Sequence, residues 1–115
     1  MTKLECIVRA MDDKMGSHIT AIDMTNASPL FDTFVLCTAS NERLMQAIKQ
    51  NIKDECAKNG YEINSIEGLR DSKWILIDLG DIVCHIFDAE ERDKFNLEKL
   101  WGDMPEINVE KMLLK

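Results

Sequence analysis

Two prolines, five glycines and two histidines are all that 115 residues contain of these types, and each scarcity removes a class of protein. With 45% hydrophobic residues and so little Pro and Gly, the chain is neither collagen-like nor a low-complexity disordered polymer. The four cysteines, Cys6, Cys37, Cys56 and Cys84, are widely separated, with no C-x-x-C pair and no His at ligand spacing. Neither a zinc site nor a disulfide framework is suggested; the cysteines read as small buried hydrophobes in a reducing compartment. No eighteen apolar residues follow one another, and Glu5, Arg9, Asp12, Asp13 and Lys14 interrupt the first apolar stretch, leaving no signal-peptide core. A cytoplasmic protein without a membrane partner is expected.

Positive charge is also in short supply: 14 Lys and Arg against 21 Asp and Glu give a net charge of −7. Such a surface repels phosphate backbones, so direct nucleic-acid binding is not expected. It suits a basic protein surface, although most acidic excesses serve only solubility. There is no Gly-rich phosphate loop, no G-x-S-x-G and no activated Cys-His spacing. The catalytic inventory is thin, and no cofactor is implied.

What remains is enough for one globular domain over residues 1–115, able to bury roughly two-thirds of its unfolded surface. Thr2 and Glu5 have capping-box spacing, and Leu4, Ile7, Val8, Met11 and Met15 then recur at helical period up to Gly16. His18 to Met24 and Asp32 to Thr38 read as strands around the turn-forming Asn26-Ala-Ser-Pro29. Ser40 is the N-cap candidate of the longest helix, with a stripe of Leu44, Met45, Ile48, Ile52 and Cys56 and a left-handed stop at Asn59-Gly60. Ile63 to Ile66, Trp74 to Leu79 and Ile82 to Phe87 read as strands. Asp88 and Glu91 repeat the capping-box spacing before a last short helix, followed by Leu97, Leu100, Trp101 and a Pro105-containing tail. The order αββαβββα describes a mixed α/β or α+β domain. The methionines read as core filling.

The hairpin across Gly80-Asp81 carries most of the information. A two-residue loop pairs Trp74 with Phe87, Leu76 with His85 and Asp78 with Val83, and separates two faces. One holds Ile75, Ile77, Leu79, Ile82, Cys84 and Ile86 and must face the helices. The other mixes Trp74, Leu76, Asp78, Val83, His85 and Phe87, a poor composition for a deep core and a good one for a protein interface. The plainer alternative is that other strands or the C-terminal segment cover this second face and satisfy His85 internally. His85 and His18 are the only histidines, and a lone strand histidine is more often structural than a catalytic base. Asp78 and Asp81 bracket a tight turn, where aspartates are mostly turn formers rather than metal ligands.

Several segments together resemble the ribosomal silencing factors, the Iojap-like family. They are Ile22-Asp-Met24, Phe31 to Cys37, Ser40-Asn-Glu-Arg43, Ile66-Glu-Gly68, Trp74 to Phe87, Glu90-Glu-Arg92 and Leu97 to Asp103. The most specific are the runs W-x-L-x-D-x-G-D-x-x-x-H-x-F and L-E-x-L-W-G-D at their mutual spacing. The resemblance covers residues 3 to 105 and leaves 106–115 as a C-terminal extension with helical potential in Ile107, Val109, Met112, Leu113 and Leu114. That extension is placed to cover either the candidate face or a dimer surface. Ser17-His18 stands where relatives usually carry an acidic residue.

The resemblance implies a mixed five-stranded sheet flanked by helices, with nucleotidyltransferase-like topology but no active site. It also implies docking on a basic large-subunit ribosomal protein, of the uL-fourteen type, at the intersubunit face of the large ribosomal subunit. Small-subunit joining is thereby blocked and translation repressed. Trp74, Leu76, Asp78, Asp81, His85 and Phe87 are then the contact candidates. Trp74 and Phe87 would be apolar anchors, Asp78 and Asp81 acceptors for Arg or Lys, and His85 a neutral hydrogen-bonding group. A nucleotide-binding enzyme of nucleotidyltransferase type is the alternative, and a homodimer through the hairpin face is compatible with either.

Overall fold

The computed structural model describes residues 2–68 and 73–113. Helix α1 (Lys3–Asp13) starts where Thr2 accepts a hydrogen bond from the Glu5 amide at 3.1 Å, and it buries Cys6, Ile7, Val8, Ala10 and Met11. It stops early. The chain turns through a left-handed conformation at Met15, and the Gly16 amide returns to the Met11 carbonyl at 2.8 Å. A Cβ on Gly16 would meet that oxygen at 2.8 Å, so the close return needs glycine. Met15, counted above with the core stripe, therefore leaves the helix and is largely exposed.

Strands β1 (Ser17–Asp23) and β2 (Thr33–Thr38) form an antiparallel pair, and helix α2 (Glu42–Lys58) follows. Its N-cap is Asn41, not Ser40: the Asn41 side chain accepts from the Leu44 amide at 2.8 Å. Strands β3 (Ser65–Glu67), β4 (Trp74–Asp78) and β5 (Ile82–Phe87) complete the central sheet. Helices α3 (Ala89–Phe95) and α4 (Leu97–Leu100) come next, with Asp88 capping α3 through the Glu91 amide at 2.8 Å.

The sheet has six strands rather than five, in the order β3-β4-β5-β2-β1-β6, because the tail adds β6 (Glu106–Ile107) antiparallel to β1. Only β2 and β5 run parallel. The tail then forms α5 (Glu110–Leu113), which packs Val109, Met112 and Leu113 on the main core, with Arg9 Nε donating to the Met112 carbonyl at 2.9 Å. Through residue 113 the extension closes an edge and the helical face, away from the hairpin's second face; Leu114 lies outside the described residues. No helix among the described residues is long and apolar enough to cross a membrane.

The main core lies between the sheet and α1, α2 and α5. It contains Ile75, Ile77, Leu79, Ile82, Cys84 and Ile86, together with Val35, Cys37, Met45, Ile48, Ile52 and Cys56. The hairpin face assigned to the helices is the one that packs on them. All four thiols are buried, and burial pushes Cys37 and Cys56 up to about 12, so these sulfurs behave as apolar filling.

On the other side of the sheet, α3 delivers a buried guanidinium. Arg92 donates through Nη1 to the His18 carbonyl (2.6 Å) and Thr38 Oγ1 (2.9 Å), through Nη2 to Thr20 Oγ1 (3.1 Å), and through Nε to Glu98 (2.8 Å). The pairing of β1 with β2 slips between Ser17 and Thr20, and His18 adopts a positive φ. Arg92 satisfies a carbonyl at that irregularity and ties β1, β2 and α4 together. Arg92→Met should destabilise the domain by about 3 kcal/mol or more, because it strands several polar groups at once. Arg92→Lys, with one point donor in place of a fork, should recover only part of this in urea unfolding.

Candidate functional site

The register of the second face follows the two-residue loop. Trp74 pairs with Phe87, Leu76 with His85 and Asp78 with Val83, and Gly80 takes the positive φ that the turn requires. On the far side of β5, the parallel ladder sets Phe34 beside Val83, Leu36 beside His85 and Thr38 beside Phe87. Ile22, Met24, Leu36 and Phe87 form a second, smaller core here, against which Phe34, Trp74, Leu97, Trp101 and Met104 pack.

The six sequence candidates divide by depth. Phe87 is 1% and His85 3% exposed, so both lie beneath the surface; Val83 is buried as well. For these residues the plainer alternative holds in part: neighbouring elements cover them, and His85 has an internal partner at Nδ1 but none at Nε2 among the described residues. Trp74, Leu76 and Asp78 keep part of their surface. Asp78 accepts the Gly80 amide at 2.8 Å and stabilises the turn. Asp81 stands apart, in the loop, paired with Lys3 of α1 at 2.7 Å; the hydrogen bond from Lys3 holds its carboxyl below the usual range. The face thus brings together five candidates, two of them as floor, and leaves Asp81 in the loop, tied to α1 on the helical side of the sheet.

Aromatic rings that the sequence candidates did not include extend the site. Phe31 lies 5.8 Å from Phe34, Phe34 4.8 Å from His85 and 6.5 Å from Trp101 (ring centroids). Trp74 lies 4.8 Å from Phe87 and 5.0 Å from Phe95, and His85 stacks on Phe87 at 5.9 Å with 7° between planes. Phe95 is 46% exposed, and Leu30 and Leu100, beside Phe31 and Trp101 in the chain, are 74% and 66% exposed. Exposed apolar side chains thus lie beside a band of rings on one side of the sheet. Among the described residues, no three His, Cys, Asp or Glu side chains stand close enough to hold a metal ion.

His85 links the two halves of the band. Its Nδ1 accepts the Trp74 indole N–H at 3.1 Å. Because an indole nitrogen only donates, Nδ1 is unprotonated and the neutral ring carries its proton on Nε2, which is buried with no hydrogen-bond partner among the described residues. That unpaired donor costs about 1–3 kcal/mol. Burial lowers the His85 pKa to about 4, so the ring is neutral at physiological pH.

The depressed value sets a pH signature. An unfolded histidine takes up its proton near 6.5, and the folded one near 4. As pH falls between those values the unfolded state binds more protons, so stability is lost below about 6.5, and the loss levels off below about 4. At pH 5 the expected cost is about 2 kcal/mol relative to pH 7. His85→Asn, compared with wild type in urea unfolding at each pH, should lack this component and leave only the slope contributed by the carboxylates.

The architecture has known counterparts. The family model "Ribosomal silencing factor during starvation" matches residues 1–115, the last ten included. The ribosomal silencing factor of Bacillus subtilis is 42% identical over 102 residues, covering 89% of this chain and 86% of that protein. The ribosomal silencing factor of Halalkalibacterium halodurans is 41% identical over 107 residues, covering 93% and 92%. A crystal structure from Bacillus halodurans superposes with a TM-score of 0.80 at 39% identity, covering 91% of this chain and 95% of its own. With identity above 40% across nearly the whole length and the family model matched end to end, this chain belongs to the ribosomal silencing factor family.

Proposed function

We propose that the aromatic band docks on a basic large-subunit ribosomal protein, of the uL-fourteen type, at the intersubunit face of the large ribosomal subunit. The bound domain then stands where the small subunit must join and holds translation down by exclusion, with no reaction catalysed. It acts in the cytoplasm, where the subunits meet. The observation that carries this reading is Trp74, a part-exposed indole braced by Phe87, Phe95 and His85 at the centre of an apolar band, in a chain of the silencing-factor family. Aromatic anchors seated this way dominate interface energies.

Each candidate has a role set by its depth. Trp74 and Leu76 supply the apolar contact, and Phe87 supports the indole from below. Asp78 lies on the same face and offers an acceptor to Arg or Lys. Asp81, half-exposed in the loop, is an acceptor for a partner cation only if it gives up Lys3, which ties it to α1. The net charge of −7 favours approach to a basic surface and disfavours direct contact with ribosomal RNA.

Co-sedimentation tests the proposal. Wild-type protein should pellet with large subunits and reduce the joined-ribosome peak when small subunits are added. Trp74→Ala should weaken pelleting by about 2 kcal/mol, roughly thirtyfold, while circular dichroism reports a folded domain. Wild type left in the supernatant would overturn the reading. A saturable calorimetric titration with Mg-nucleotide would favour an enzyme instead.

A further inference from the structure

We infer that His85 is a positioning residue for the docking anchor: its Nδ1, by accepting the Trp74 indole N–H, fixes the plane in which Trp74 is presented. The inference rests on the proposed role of Trp74 and adds to it a residue that touches no partner. At 3% exposure His85 cannot supply contact area. Its ring is stacked on Phe87 and set at 63° to Phe34, so it is immobilised by neighbours on both sides. Among the described residues, its side-chain hydrogen bond goes to Trp74.

The chemistry of the position argues the same way. A phenylalanine would fill the space between Phe34 and Phe87 and remove the Nε2 donor, which has no hydrogen-bond partner among the described residues, but it would also strand the part-buried Trp74 indole N–H. What the imidazole adds over a phenyl ring is an acceptor at the δ position, and that acceptor is occupied by the indole. Trp74 is only half-buried and touches Phe87 and Phe95 with its ring. Stacking alone leaves a flat side chain free to rotate in its plane or flip. A hydrogen bond to a locked acceptor removes that freedom before a partner arrives, which lowers the ordering cost of binding.

Three substitutions separate this role from simple packing. Asparagine places Oδ1 the same number of bonds from Cβ as the imidazole Nδ1, glutamine moves its acceptor one bond further, and phenylalanine has none. The two indole N–H signals are assigned in nitrogen-edited NMR spectra with a Trp101→Phe variant. In the free protein, the Trp74 indole proton should exchange at least tenfold faster with solvent in His85→Phe and His85→Gln than in wild type, and should stay protected in His85→Asn. Affinity for large subunits should fall at least tenfold in His85→Phe and His85→Gln and stay within about threefold of wild type in His85→Asn.

A double-mutant cycle decides the matter if His85→Asn fails to fold: His85→Phe should cost affinity in wild type and nothing further in a Trp74→Phe background, where no N–H remains. Unchanged indole exchange in a folded His85→Phe variant, or an equal affinity loss in both backgrounds, overturns the inference. Because the exchange measurement needs no ribosome, it stands even if wild type fails to pellet, the outcome that removes the docking proposal instead.

Discussion

A two-residue loop at Gly80-Asp81 imposes the constraint on which the rest of the molecule depends. Side chains alternate across a strand with period two, so the loop length decides which residues of β4 share a side of the sheet with which residues of β5. An extra residue would invert one strand relative to the other, carrying either Ile75 and Ile77 or Cys84 and Ile86 out of the helical core. The Asp78 carboxylate locks the loop by accepting the Gly80 amide, while the Lys3 ammonium reaches across from α1 to Asp81 and the Leu79 carbonyl. The same few atoms thus join the turn to the first helix and set the parity of the central hairpin.

Strand β5 shows what that parity achieves. All six of its residues are buried, flanked by an antiparallel neighbour on one side and the parallel β2 on the other. One row of its side chains supports α1 and α2, and the other supports the aromatic band. The band does not collapse into a second full core because α3, α4 and the segment to Met104 cover only part of the sheet. Arg92 anchors that cover to β1 and β2 through three hydrogen bonds and to α4 through a fourth, and Phe95, on the same helix, meets Trp74. A buried polar clamp and an exposed aromatic contact are therefore positioned by one short helix.

The hairpin register and the split of its two faces were legible in the sequence because both follow from local spacing. The helix starts at Thr2 and Asp88 were legible for the same reason. Asn41 displaced Ser40 as a cap because two adjacent residues both had capping side chains, and spacing alone cannot rank them. What escaped was non-local. Phe34 lies beside His85 only because β2 and β5 pair in parallel, and a helix and two further strands separate them in the chain. Arg92 carries no local signature, since its ligands come from β1, β2 and α4. The depth of Phe87 and His85 was hidden likewise: alternation names a face, but only the residues packed over that face decide what remains exposed. β6 was missed because two residues are too few to show a period.

The buried floor and the exposed anchor are parts of one energetic arrangement. A part-exposed tryptophan on a flexible support would lose rotational freedom on docking, and that loss would subtract from the apolar gain. Here the indole rests on a phenylalanine at 1% exposure, is flanked by a second, and is tethered to an imidazole immobilised between aromatic rings. The ordering has been met during folding, at the expense of a buried Nε2–H that no neighbour accepts. Stability is thereby exchanged for preorganisation at one place on the surface. The unpaired Nε2 is thus what the domain gives up to keep an acceptor at Nδ1 for the Trp74 indole.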